Sequence, residues 1–212
     1  MYLENVTDIP MKTATAKQNK AIALIRSKGI VRPRDLEAFG IHREALRRLC
    51  RSGRVQRIGR GLYRLPTAPV SEHHTLAEVC ASVPSGVVCL LSALRFHGLT
   101  TQAPHEVWVA VDARAYVPKT DLPVRFVRFS GPAMTDGVSV HKVEGVTIKV
   151  YCPAKTVADC FKYRNKIGLD VALEALRESR RAGVCSVDEL WHYAKVCRVA
   201  AVMRPYMEAL AL

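Results

Sequence analysis

Between residues 15 and 27 the apolar side chains Ala21, Leu24 and Ile25, with Lys28 completing the i, i+3, i+4, i+7 rhythm, fall on one side of a helix that Gly29 stops. Pro33 suits the first position of a second short helix over 34–39, because its missing N–H is one that a helix start cannot use. Gly40 ends that helix. A third, over 42–52, buries Ala45, Leu46 and Leu49, and Gly53 fits the left-handed position just past its end. Two short helices around a glycine-containing turn make a helix-turn-helix. The alternating runs 55–58 and 62–65, joined by Gly59-Arg60-Gly61, then read as a tight hairpin, the wing. Pro66, Ala68 and Pro69 break regular structure. The expected organisation is a winged helix-turn-helix over 1–68, with 1–13 as a loose arm, and a second domain over 69–212.

The pattern changes in that second domain. Thr75 and Glu78 have the spacing of a capping box, although Ser71 offers a start one turn earlier. Leu90, Leu91 and Leu94 give a helix closed by Gly98. The apolar run 107–111 suits a strand covered on both faces. Further strands are expected at 124–129 and 138–143, with 146–151 pairing back across Glu144-Gly145. Pro153 opens another helix, and helical patterns follow at 169–181, at 187–197 behind a Ser186/Glu189 capping box, and at 199–210. Strands in the middle and helices at the end predict an α+β fold, a central, largely antiparallel sheet with C-terminal helices. A chain of 212 residues is long enough for two modest cores.

Charge sharpens this division. The first 66 residues carry 15 Lys and Arg against 5 Asp and Glu, so +10 of the formal +13 lies there. The other 146 carry 17 against 14. Such asymmetry points the front third towards a polyanion, and nucleic acid is the one its frame suits. On the third helix Arg43, Arg47 and Arg51 stand at i, i+4, i+8, opposite Leu46 and Leu49, with Arg48 and Glu44 beside them. In a helix-turn-helix this helix enters the major groove. An arginine fork grips guanine O6 and N7 together. Arg60 at the hairpin tip is placed for the neighbouring minor groove, and Arg57 and Arg64 along the wing strands for phosphates. Arg32 and Arg34 flank the free N–H groups of the second helix start, which also suit a phosphate.

Other chemistry is thinly represented. The seven cysteines, at 50, 80, 89, 152, 160, 185 and 197, form no C-x-x-C pair and read as buried hydrophobes of a reducing cytoplasm. His73 and His74 are adjacent, so a helix turns them about 100° apart; they read as surface or capping residues rather than ligands of one metal. Lys155-Thr156 lacks the preceding glycines of a phosphate-binding loop. Lys155 and Asp159, at i, i+4, read as a surface ion pair or as a link between hairpin and helix. Ser92 and Ser139 lack a nucleophile's G-x-S-x-G setting. A nuclease would need convergent carboxylates, for which Glu106, Asp112 and Glu144 are the candidates, yet no acidic pair with a following lysine accompanies them. No catalytic residue, metal ligand or cofactor is therefore assigned. No apolar run reaches the roughly 18 residues of a membrane span, and the N-terminus does not read as a signal peptide, so a cytoplasmic protein is expected.

The segment IVRPRDLEAFGIHREALRRLCRSGRVQRIGRGLYRLP resembles the winged-helix domain that opens AbiEi-type antitoxins and related viral-defence regulators. LLSALRFHGLT (90–100) and YCPAKTVADCFKYRNKIGLDVALEAL (151–176) resemble the same family's second domain. The resemblance implies a front domain that binds inverted repeats in its own promoter and represses an operon. It also implies a back domain that counters a co-encoded nucleotidyltransferase-like toxin. The family's DNA-reading determinants map onto Arg43, Arg47, Arg48, Arg51, Arg57 and Arg60. One winged helix covers one half-site, so two copies of a monomer or weak dimer are expected on each operator. The alternative is a DNA-processing enzyme, a metal-dependent nuclease delivered by the same module.

Overall fold

The computed structural model describes residues 9–117 and 119–209, with side chains from residue 16 onward. The chain is α+β and divides into two compact units. One comprises the residues up to Ser82 together with Lys142–Val146, the other Val83–His141 and Thr147–Leu212.

The first unit opens with α1 (Ile9–Lys28). Residues 9–13, expected as part of a loose arm, lie in this helix; residues 1–8 are outside the described residues. Its front was illegible because the apolar stripe begins only at Ala21. Next come α2 (Pro33–Glu37) and α3 (Arg43–Arg51), then the hairpin β1 (Gln56–Gly59) and β2 (Leu62–Arg64). Val31 and Tyr63 exchange both backbone hydrogen bonds at 2.9 Å, which adds a short third rung to the wing. Ala21, Ile25, Val31, Leu36, Ile41, Leu46, Leu49, Val55, Tyr63 and Leu65 form one buried cluster. Truncating a leucine such as Leu46 to alanine there costs about 2–5 kcal/mol.

Past Pro69 the same unit continues into α4 (His74–Ser82), which lies against β2. The expected capping box does not form. Thr75 sits inside the first turn, exposed, and Glu78 lies 3.3 Å from the His74 ring instead. His74 is likewise no surface residue. Its Nδ1 is 2.6 Å from Glu144 Oε2, while Glu144 Oε1 accepts from the Ser71 amide at 2.6 Å and the Ser71 hydroxyl at 2.9 Å. Burial pushes the Glu144 carboxyl up, but these bonds outweigh it and hold the group below its ordinary value. Glu144 and Gly145 both have positive φ, 49° and 79°, as a two-residue hairpin turn requires. A Cβ on Gly29 (φ 69°) would coincide with the Glu144 carbonyl oxygen, so only glycine permits this approach.

A five-stranded sheet in the order β5-β4-β3-β7-β6 belongs to the second unit, apart from Lys142–Val146 at the β6–β7 turn. Its strands are β3 (Val87–Val88), β4 (Val107–Asp112), β5 (Val124–Phe129), β6 (Val138–Val143) and β7 (Val146–Tyr151). The sheet is mixed rather than largely antiparallel. β3 pairs β4 antiparallel, and the two-residue turn imposes the same on β6 and β7, but β4/β5 and β3/β7 are parallel. β3, too short to show a period, supplies the parallel pairing with β7, and the β4/β5 ladder is parallel independently of it. The helices are α5 (Leu90–Phe96), α6 (Pro132–Thr135), α7 (Pro153–Lys162), α8 (Arg164–Ile167), α9 (Leu169–Arg181), α10 (Val187–Val196) and α11 (Ala200–Ala209). The Ser186/Glu189 capping box forms at the start of α10.

Helix α7 is the centre of this unit, touching α5, α8, α9, α10 and α11. Every residue from Ala154 to Phe161 is buried as a result, including Lys155 and Asp159. Their pair is therefore not a surface ion pair. A helix enclosed on all sides leaves no solvent face for it. Lys155 Nζ lies 2.7 Å from both Asp159 oxygens and 4.1 Å from the centre of the Tyr151 ring, and the Cys197 thiol donates to Asp159 Oδ1 at 3.2 Å. Burial pushes the Asp159 carboxyl up, to about 6, against the pull of Lys155. All seven cysteines are free thiols; Cys50 and Cys152 are half-buried and the others buried. Among the described residues no helix is long and apolar enough to cross a membrane.

Candidate nucleic-acid interface

The amphipathic third helix sets the geometry of the basic surface. Leu46 and Leu49 anchor α3 in the core at 1% exposure each, which turns Arg43, Arg47, Arg48 and Arg51 outwards. All four are exposed. Arg43 and Arg51 make no ion pair or hydrogen bond among the described residues. Arg47 Nη1 and Arg48 Nε each lie 3.7 Å from a Glu44 oxygen, with side chains 63% and 60% exposed. At that distance and exposure the pairs are weak and easily exchanged for other partners. On the same helix, burial pushes the Cys50 thiol up, against the pull of Arg57.

The wing contributes differently at each position. Arg60 is exposed at the tip between Gly59 and Gly61, whose φ of 73° supplies the turn. Arg57 is exposed and donates through Nε to the Gly59 carbonyl at 3.1 Å, across the bulge in the hairpin register. Arg64 faces inwards instead. It is half-buried, its Nη1 lies 3.2 Å from His74 Nε2, and its buried Nε has no hydrogen-bond partner among the described residues.

The two arginines at the start of α2 also separate. Arg34 is exposed, whereas Arg32 is half-buried and committed to Asp35. The Arg32 amide donates to Asp35 Oδ2 at 2.8 Å and its guanidinium reaches both Asp35 oxygens at 3.3 and 3.4 Å. Burial pushes the Asp35 carboxyl up, but the bonds from Arg32 prevail and lower it. Arg32 thus fixes the entry to the helix-turn-helix. Of the nine arginines singled out in the sequence, Arg34, Arg43, Arg47, Arg48, Arg51, Arg57 and Arg60 are exposed, and Arg32 and Arg64 are held by their own unit. Sequence reasoning passed over Arg54, exposed just after α3, whose Nη2 donates to Asn19 on α1 at 3.3 Å. Its place beyond Gly53, outside the helical stripe, hid it.

The carboxylates considered for a nuclease are each engaged. Glu106 binds Arg125 at 2.8 Å, Asp112 accepts from the Arg114 amide at 2.8 Å, and Glu144 belongs to the first unit, bound to Ser71 and His74. Among the described residues no three His, Cys, Asp or Glu side chains are grouped to hold a metal ion. A cavity of about 220 Å³ lies beside Asp159, Cys197, Phe129 and Tyr163 in the second unit.

Residues 19–66 match the family model of AbiEi antitoxin transcriptional regulators. This segment is AbiEi-type. It contains all nine candidate arginines, begins inside α1 and ends one residue after the buried Leu65. The stretches that resemble the family's second domain, at 90–100 and 151–176, lie beyond the AbiEi-type match, on α5 and on β7 through α9. The fold is also similar to the crystal structure of the RV2827C protein from Mycobacterium tuberculosis, over 86% of this chain and 71% of that one. The TM-score is 0.57 at 15% identity, a likeness of fold alone. No curated protein matches the sequence.

Proposed function

We propose that the chain is a DNA-binding antitoxin and transcriptional autorepressor of the cytoplasm. Residues 1–68 hold double-stranded operator DNA, and residues 69–212 counteract a co-encoded nucleotidyltransferase-like toxin. Helix α3 enters the major groove and the Arg60 tip the minor groove, with two copies of the chain on an inverted repeat. The chain acts by binding and needs no cofactor or metal. One observation carries the reading: inside the AbiEi-type segment, a helix anchored by Leu46 and Leu49 presents four exposed arginines, followed by an exposed arginine at a hairpin tip. A fixed backbone and exposed guanidinium forks are what groove reading uses.

Footprinting on the DNA upstream of the chain's own gene tests the operator, and co-purification with the neighbouring gene product tests the toxin. Protection of two half-sites related by a dyad is expected. Binding should weaken with salt at a log–log slope near −0.9 per phosphate neutralised. A flat salt response, or metal-dependent cutting abolished by Asp112→Ala, would overturn the proposal.

A further inference from the structure

Helix α3 carries a single carboxylate among four arginines. Glu44 stands in its first turn, after the cap residue His42 and Arg43, where a groove-reading helix meets base edges. Its side chain is 53% exposed and lies 3.7 Å from both Arg47 and Arg48, outside hydrogen-bonding range, so its oxygens remain open to a new donor. In a field of phosphates such a charge opposes binding to every duplex. A carboxylate also only accepts. In the major groove the donors are the N4 amine of cytosine and the N6 amine of adenine, whereas guanine O6 and N7 and thymine O4 would repel it.

We propose that Glu44 is a specificity-determining residue that makes each operator half-site require a cytosine opposite the N-terminal turn of α3. It accepts from cytosine N4, and Arg47, one turn along the helix, takes a guanine beside it independently. This rests on the DNA-binding reading and gives it a base. Discrimination comes as much from repulsion of acceptor edges as from the bond made, so Glu44 exchanges general affinity for selectivity.

The test is selection from a library of randomised duplexes by the full-length chain, in parallel with Glu44→Gln and Glu44→Ala, with melting temperatures of all three. The unsubstituted chain should enrich a site with one strongly preferred C·G pair. Glutamine both donates and accepts and pairs with adenine N6 and N7, so Glu44→Gln should move that position to adenine and leave the others unchanged. Glu44→Ala should lose preference there by roughly 5- to 150-fold, the range expected of one good base contact, while binding random duplex more tightly. Equal tightening on all sequences would make Glu44 a charge brake only and overturn the proposal. A lower melting temperature with the base preference intact would make it a helix-start residue and also overturn it. If the unsubstituted chain enriches no sequence at all, the DNA-binding reading itself fails, a result distinct from both.

Discussion

Arg47 in the first unit and Lys155 in the second carry the same charge under opposite conditions. Arg47 is exposed, loosely paired and surplus, in a segment where positive charge exceeds negative threefold. Lys155 has no exposed surface, is held by both oxygens of Asp159 and lies over Tyr151. The first can exchange water and Glu44 for a polyanion at little cost, because an exposed pair is worth about 0–1 kcal/mol. The second cannot leave its partner without stranding a buried charge. One cation is available for binding and the other is part of the architecture.

Replacement of each distinguishes them. Lys155→Met leaves the Asp159 carboxylate buried and unpaired, and should cost about 3–5 kcal/mol of stability by denaturant unfolding, without touching the DNA surface. Adding Asp159→Leu should recover most of that loss; if the double variant is no more stable than the single one, the pair is not what the site requires. Arg47→Ala should leave unfolding unchanged and cost about 1–3 kcal/mol in operator binding, confined to one base position. A loss uniform across sequences would make Arg47 a phosphate contact.

The remaining tests have smaller effects. Glu144 has a carboxyl held below its ordinary 4.5, so its contribution is complete above that value and is lost as pH falls through the lowered one. Thermal melts of Glu144→Gln should therefore lie below those of the unsubstituted chain near neutral pH and converge with them on acidification. Parallel curves at every pH would remove the carboxylate from the account. The smallest change is Arg48→Ala, which breaks one exposed pair with Glu44 and should shift stability by no more than about 0.5 kcal/mol.

Much of this molecule follows from side-chain order along single elements. Local sequence placed α3, β5, β6, β7 and α9, because each shows its own helical or strand spacing or is bounded by glycine or proline. The arginine stripe was legible for the same reason, since Leu46 and Leu49 fix which face of the helix remains outside. The AbiEi resemblance was carried by local motifs too.

What local order could not decide was what comes to lie beside each element. Lys155 and Asp159 have the spacing of any solvent-facing pair, and only the helices gathered around α7 make them buried. Arg64 alternates out of a strand as Arg57 does, yet α4 brings His74 against it and leaves it half-buried. β3, two residues long, has no period to read, but its position between β4 and β7 gives the sheet one of its two parallel ladders. Spacing fixes the direction of a side chain relative to its own backbone, whereas burial and pairing depend on neighbours that are distant in the chain.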